Sequence, residues 1–292
     1  MAAIAETLRS FGPSPADCVR LLSSVDETLA SRQPIVAMRK EFGCEGDLFE
    51  RALLSIAIRE NRPRIRELRV YEPVKRLLER ELEIYTAPRR PPYPSLEAGS
   101  YPFVVAAKFA TLRRFPAGAL DWEISGFRRS WLFKVPWAEL PATLSSVAFG
   151  LRGFKPAFFM HVPLRPRSRA LILEREVRLA YYRIARSLAL QPEMKGLLAE
   201  AWFHDPLALR DNPHLAPLNE PYTKHGGFIT TVGPAPPDSG ITEGNLQRKI
   251  QYQNGELPYR LGLAIWPRRA ALHWARARPE LDETAPEPLA CI

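Results

Sequence analysis

The feature that most constrains this chain is a proline-rich segment at residues 86–102 (TAPRRPPYPSLEAGSYP). It holds five prolines, and proline lacks the backbone N–H that helix interiors and central strands require. No regular helix or buried strand is therefore expected across it. We interpret it as a boundary between two parts of the chain, either a linker or a stiff strap lying over the surface.

Helix signals dominate the residues before this boundary. The sequence from Ser14 to Asp17 offers an N-cap, a proline at the first helical position and a carboxylate at the third. Apolar residues then follow at helical spacing as far as Leu29. Segment 48–61 is apolar on most sides, which is typical of a central helix in a bundle. Further helices are expected at 72–85 and, after the proline-rich segment, at 103–115.

The pattern changes after the next proline, where strand-like and helix-like segments alternate. The stretch 120–136 combines aromatic and β-branched residues around a Ser-Gly pair, which predicts a strand hairpin. The other expected elements are strands at 155–164, 194–203, 226–233 and 259–267, and helices at 137–151, 171–190 and 270–277. This alternation favours an α/β or α+β domain over residues 116–292, following a helical domain over residues 1–115.

The net charge of +9 is spread evenly along the chain. Residues up to Arg114 carry 19 basic and 15 acidic side chains, and the remainder carry 22 and 17. Proteins that bind nucleic acid usually concentrate their basic residues in a patch or a tail. We therefore interpret the charge as a property of an arginine-rich composition, and nucleic acid is not expected as a partner.

Three widely spaced cysteines, Cys18, Cys44 and Cys291, indicate a reduced environment, because they form no C-x-x-C pair and are odd in number. The N-terminal residues lack the basic and apolar regions of a signal peptide. No apolar run approaches the about 20 residues that cross a bilayer. The sequence therefore predicts a cytoplasmic protein with no membrane partner, and it leaves the oligomeric state open.

Three familiar motifs of catalysis and nucleotide binding are absent from the sequence. It contains no G-x-S-x-G, no G-x-x-x-x-G-K-[ST] and no G-x-G-x-x-G. Serine hydrolases, P-loop NTPases and Rossmann dehydrogenases therefore lack their usual signatures here.

An arginine-rich turn follows the strand expected at 155–164 and precedes a long amphipathic helix. Three guanidinium groups and a hydroxyl gather in it, at Arg165, Arg167, Ser168 and Arg169. Guanidinium groups and the N-terminus of a helix both favour phosphate. The turn is a candidate for holding a pyrophosphate or a 3′-phosphate. The alternative is a solvated turn in an arginine-rich chain.

The order of strand, basic turn, helix, strand, helix and strand over residues 120–267 resembles the GNAT family of acyl-CoA-dependent N-acyltransferases. In that family the turn cradles the CoA pyrophosphate with a glycine-containing signature that begins with Arg or Gln. Arg165 and Ala170 match the two ends of that signature, and Ser168 stands where the family has glycine. The resemblance implies an α+β fold with a mixed, mainly antiparallel sheet. It also implies acyl-CoA or an acyl-carrier thioester as co-substrate, and an amine of a small molecule or peptide as acceptor.

The resemblance further implies which side chains handle protons. The acceptor amine would meet the thioester between the strands at 155–164 and 194–203. His161 or Glu200 would accept its proton, directly or through water. Tyr222 would protonate the leaving thiolate. The alternative is that His161 is a hydrogen-bonded core residue and that Tyr222 is a packing residue.

A second group of polar residues suggests a different chemistry. His204, Asp205 and His214 are a candidate metal site with two histidines and one carboxylate. Their spacing does not prebuild such a site, and the Asp-Pro and Asn-Pro pairs beside them are ordinary cap and turn chemistry. The leading interpretation is an N-acyltransferase that needs no metal. A metal-dependent enzyme and a non-catalytic interaction protein on the same fold are the alternatives.

Overall fold

The structure is a computed structural model that describes residues 14–43, 47–86, 95–163, 173–236, 240–242, 245–257 and 259–284. Its contacts divide the chain into two compact units, Met1–Pro116 and Ala117–Ile292. The first unit is mainly helical, and the second is built around a sheet.

The helices of the first unit begin close to where the sequence supplies caps. They are α1 (Pro15–Ser23), α2 (Leu29–Glu41), α3 (Leu48–Asn61), α4 (Glu72–Thr86) and α5 (Tyr101–Ala110), followed by the short strand β1 (Arg114–Pro116). Ser14 and Asp17 form the expected capping box of α1. The expectation that this helix continues to Leu29 is wrong. It ends at Ser23, and a separate helix capped by Thr28 begins at Leu29.

Helix α3 forms the centre of the first unit, as its apolar sequence predicts. Ten of its 14 residues are buried, and it packs against α1, α4 and α5. Burial of a side chain such as Leu53 or Ile56 contributes roughly 1.5–3 kcal/mol. The stability of this unit therefore depends most on α3.

The described end of the proline-rich segment lies along α3. The backbone N–H of Leu96 donates to Oδ2 of Asp47, and that of Ala98 donates to Oε1 of Glu50, each over 3.0 Å. Leu96 and Ala98 are buried, although they belong to no helix or strand. This end of the segment is therefore a strap held through its main chain. Residues 87–94 lie outside the described residues.

The second unit alternates strands and helices. Its strands are β2 (Asp121–Ser125), β3 (Ala157–His161), β4 (Gly196–Ala201), β5 (Phe228–Pro234) and β6 (Arg260–Pro267). Its α-helices are α6 (Leu140–Ser145), α7 (Glu174–Ala189), α8 (Pro206–Asp211), α9 (Glu220–Lys224), α10 (Leu246–Gln253) and α11 (Arg268–Arg276). Across the described ranges of the chain, no helix combines the length and the apolar character needed to cross a bilayer.

The strands of this unit lie side by side in the order β2-β3-β4-β6-β5. Strands β3 and β4 are parallel, and α7 lies between them in the chain, as a parallel pair requires a crossover. The pairs β2–β3, β4–β6 and β5–β6 are antiparallel. The fold is therefore mixed α+β with a mainly antiparallel sheet, as predicted.

The strand hairpin expected at 120–136 is wrong. Only its first half is a strand, β2, and this strand pairs with β3. The second half contains a 3₁₀ helix, Arg129–Phe133, in which Trp131 is buried against Phe127 and Phe159. Tertiary burial of these aromatic rings thus overrides the local preference for a strand.

The two faces of the sheet are buried under different elements, because successive strand residues point to opposite sides. One face carries Phe159 and Leu198 and packs against Trp131. The opposite face carries Trp266, which packs edge-on against Tyr181 of α7, and helices α9 and α11 contact the strands nearby. The first of these faces also carries the side chains of His161 and Glu200.

Candidate functional site

The pairing of the central strands β3 and β4 ends before either strand does. It runs from Phe158 opposite Leu197 to Met160 opposite Ala199 and stops there. On its other side, β3 stays paired with β2 as far as His161, and β4 stays paired with β6 beyond that level. The place directly after the Met160–Ala199 pair, where β3 and β4 are no longer paired with each other, is called the opening.

His161 and Glu200 flank this opening, one on each strand. Each follows the last residue of its strand that takes part in the β3–β4 pairing, and each lies two residues beyond a core residue, Phe159 or Leu198, of the same face. Because side chains two residues apart share a face, both project to the same side of the sheet. Both are only partly buried. The structure thus brings together two of the three proton-handling residues predicted from the sequence.

His161 is positioned by groups on β2 and β3. Its Nε2 lies 3.3 Å from Oε1 of Glu123, and its ring packs edge-on against Phe159 at 5.0 Å between ring centroids. Asp121 lies opposite His161 in the β2–β3 register. An imidazole beside a carboxylate is the arrangement that orients a general base. Sequence reasoning missed Glu123, although the alternation of Asp121 and Glu123 along β2 was a usable signal.

Glu200 lies in an apolar setting on β4. The indole Nε1 of Trp131 donates to its Oε1 over 3.2 Å. Burial raises the pKa of Glu200 above its ordinary value, against the opposing effects of Arg128, the Trp131 hydrogen bond and Lys134. A carboxylate whose pKa is raised toward neutrality is a better general base than a solvated one.

Tyr222 lies on the opposite face of the sheet from His161 and Glu200. It is buried, its ring packs edge-on against Tyr181 and Trp266, and its hydroxyl contacts the sulfur of Met160 at 3.9 Å. Burial raises the pKa of Tyr222 well above its ordinary value. Such a phenol keeps its proton at neutral pH and is a weak acid.

The residues of the alternative metal site, His204, Asp205 and His214, do not form a metal-binding group in the described part of the chain. Both carboxylate oxygens of Asp205 accept backbone N–H bonds, from Leu207 over 2.7 Å and from Arg260 over 2.6 Å. His204 is buried, whereas His214 is exposed. Among the residues that the structure describes, no three histidine, cysteine or acidic side chains form a group that could hold a metal ion. Asp205 instead caps α8, as an Asp-Pro pair commonly does.

His204 is a structural histidine held by Asn219. Its Nδ1 lies 2.7 Å from Oδ1 of Asn219, whose amide nitrogen donates to the Phe203 carbonyl, so Nδ1 carries the proton. Its Nε2 is buried and has no hydrogen-bond partner in the described part of the chain. Burial lowers the pKa of His204 to about 4, with the Asn219 hydrogen bond acting in the opposite direction.

Gly262→Ala is expected to lower the free energy of unfolding by about 2 kcal/mol. A Cβ at position 262 would lie 2.5 Å from the Cβ of His204 and 3.0 Å from its carbonyl carbon, and neither atom can move without shifting the backbone. Gly99→Ala is the matched control, since a Cβ there meets nothing within 4 Å. Urea denaturation compares the two variants. Equal stability would contradict the close approach of His204 to β6.

The predicted phosphate-binding residues Arg165, Arg167, Ser168 and Arg169 lie outside the described residues. The helix that follows them, α7, begins at Glu174, and its first turn also holds Glu176 but no side-chain cap. Carboxylates in the first turn already interact favourably with the helix dipole. A phosphate near this terminus would therefore depend on the arginines more than on the helix.

No protein-family model, no curated protein and no solved structure matches this chain. The chemistry of the site is therefore inferred from its own geometry.

Proposed function

We propose that this protein transfers an acyl group from a thioester, carried by CoA or a carrier protein, to an amine of a small molecule or peptide. The observation that carries the proposal is the opening between β3 and β4, with His161 and Glu200 on the same face at its two sides. In the proposed complex the thioester lies at the opening, with its carbonyl group beside these two side chains.

The reaction is balanced without a cofactor or a metal. The amine nitrogen attacks the carbonyl carbon of the thioester, so that a C–N bond forms and the C–S bond breaks. The amine loses a proton to a general base. The thiolate leaves with the electron pair of the C–S bond and takes a proton from solvent. The products are an amide and a free thiol.

Glu200 is the proposed general base, because burial raises its pKa and it lies at the opening. His161, oriented by Glu123, is the second proton acceptor and passes the proton outward. Glu123 and Asp121 add negative charge on the same strand, which favours an acceptor that arrives as an ammonium ion. Tyr222 takes no part in this proposal, since its hydroxyl is buried on the other face.

The strand order supports a GNAT-like version of this fold. The parallel strands β3 and β4 are separated in the chain by α7, and further helices and the antiparallel strands β5 and β6 follow. This is the order on which the resemblance rests. It extends the proposal to the donor, because the family's turn at this position holds the CoA pyrophosphate.

Acyl-CoA at about 100 times its dissociation constant is expected to stabilise the protein by roughly 2.7 kcal/mol. The measurement is a thermal shift with acetyl-CoA, a longer acyl-CoA and an acyl-carrier protein. An acyl-pantetheine, which lacks the nucleotide phosphates, separates recognition of the thioester arm from recognition of phosphate. A folded protein that shows no shift with any of these thioesters would contradict the proposed function and favour a non-catalytic interaction protein.

A further inference from the structure

A broad groove lies at the end of the sheet opposite the opening. It is formed where β4 begins and β6 ends, and its cavity volume is about 1460 Å³. Its lining contains one acidic residue, Glu193, and seven cationic residues, which are Arg152, Lys195, Lys224, Arg268, Arg269, Arg276 and Arg278. At least four paired residues of β4 separate it from Glu200, or about 13 Å along the strand. The groove is therefore distinct from the proposed acyl-transfer site.

Four of the cations are available to a ligand. Arg152, Lys224, Arg269 and Arg276 are exposed, and within the described residues their side chains make no hydrogen bond or ion pair. Exposed cations that line one groove and outnumber its single acidic residue repel one another. Such an arrangement is stabilised when an anion binds between them.

Two other arginines build the wall of the groove. Nη1 of Arg268 donates to the carbonyl oxygens of Leu188 and Gln191, over 2.6 and 2.7 Å, at the end of α7. The guanidinium of Arg278 lies 4.4 Å from the ring centroid of Trp274. These contacts hold Arg268 and Arg278 in place at the wall of the groove. They do not involve Arg152, Lys224, Arg269 or Arg276.

An exposed aromatic ring stands beside the cations. Phe149 lines the groove and is 81% exposed, so its ring is accessible to a ligand. It belongs to the π-helical turn Ser146–Gly150, and such turns are frequent at functional sites. Arg152 follows in a left-handed backbone conformation (φ 55°), in which its carbonyl oxygen accepts a hydrogen bond from Lys195. This local geometry holds both the ring and a cation at the groove.

We propose that this groove binds single-stranded nucleic acid. Its volume exceeds the roughly 300–1000 Å³ typical of small-molecule pockets, which favours an extended ligand. Regularly spaced phosphates match several cations, and an exposed aromatic ring stacks on a base of any sequence. The even charge distribution along the sequence concealed this site, because the fold gathers its cations from separate segments around residues 152, 195, 224 and 268–278.

The test is fluorescence anisotropy with a labelled oligouridylate of about 20 nucleotides at about 50 mM salt. The double variant Arg269→Glu/Arg276→Glu is expected to bind at least about tenfold more weakly. The slope of log K against log salt concentration should decrease in magnitude by about 1.4, which corresponds to two lost phosphate contacts. Phe149→Ala is expected to weaken binding roughly fivefold or more through lost stacking.

The matched controls change the same residue types outside the groove. Arg59→Glu/Arg210→Glu alters the net charge equally at exposed sites, and Phe133→Ala removes a ring that is 90% exposed. Neither control is expected to change the affinity more than about twofold, since only non-specific charge is affected. Equal weakening by the groove and control variants would overturn the proposal. So would absence of oligonucleotide binding by the wild type, or binding of ATP as tight as that of the oligonucleotide.

Discussion

Glu200→Gln is expected to slow release of the thiol from an acyl-CoA and amine mixture by about 10²–10⁴-fold. Glutamine keeps the shape of the side chain and can still accept the Trp131 hydrogen bond, so the loss isolates the carboxylate as a base. The wild-type rate should fall as the pH drops through the raised pKa of Glu200, because the protonated acid accepts no proton. The variant should lose this part of the pH profile. Thiol release followed at several pH values measures both effects.

The control for this prediction is Glu256→Gln, which removes a carboxylate in the polar turn before β6. It should leave the rate unchanged within about twofold, as expected of a surface substitution away from the site. His161→Gln tests the second proton acceptor and should give a smaller loss than Glu200→Gln. If Glu200→Gln retains the wild-type rate and pH profile, Glu200 is not the general base.

The second large effect is on stability at acidic pH. His204 is expected to contribute a loss of about 3 kcal/mol in the free energy of unfolding between pH 7 and pH 4. Its pKa is about 4 in the folded protein, against the ordinary histidine value of 6.5 that applies to the unfolded chain. Between these values the unfolded chain binds a proton that the folded chain refuses. The stabilisation is therefore complete above about pH 6.5 and is lost as the pH falls toward 4.

Urea denaturation of the wild type and of His204→Gln across this pH range measures the effect. The difference between the two proteins is the informative quantity, because burial raises the pKa of Glu50 and Glu200 and gives them the opposite pH dependence. The wild type should lose about 3 kcal/mol relative to the variant as the pH falls from 7 to 4. His214→Gln, at an exposed histidine, is the matched control. A constant difference between the wild type and His204→Gln would show that His204 does not titrate in this way.

Regular elements with strong periodicity were predictable from the sequence. Helix α3 was predicted with its observed ends, and each strand from β3 to β6 lies within two or three residues of its prediction. The expected 103–115 helix instead occupies Tyr101–Ala110. Helix α2 was missed because Pro34 lies inside it and interrupts its helical pattern. The spacing of apolar residues indicates which face of a helix is buried. It does not indicate whether the helix can continue through an internal proline such as Pro34.

The candidate site was predictable only in part. His161 and Glu200 were predicted from the family resemblance, which placed the reacting groups between strands 155–164 and 194–203, and both residues lie at the opening. Glu123 and Trp131 were missed because their approach depends on pairing and packing between segments 36 to 69 residues apart. His204 and Asp205, two residues of the alternative metal site, are adjacent in the sequence, but their side chains bond to different partners. Residues on separate helices and strands meet only in the tertiary structure. The local pattern of a single sequence does not show which of them will be close together.

The contacts of Arg268 with the end of α7 bear on the order in which the second unit assembles. Its guanidinium reaches carbonyl oxygens 74 to 80 residues earlier in the chain. Closing so long a segment costs entropy that only nearly native packing recovers. These hydrogen bonds are therefore expected to form late, after α7 and the strands are in place. Interactions absent from the transition state for folding act mainly on the rate of unfolding. We therefore expect the hydrogen bonds of Arg268 to slow the unfolding of this unit.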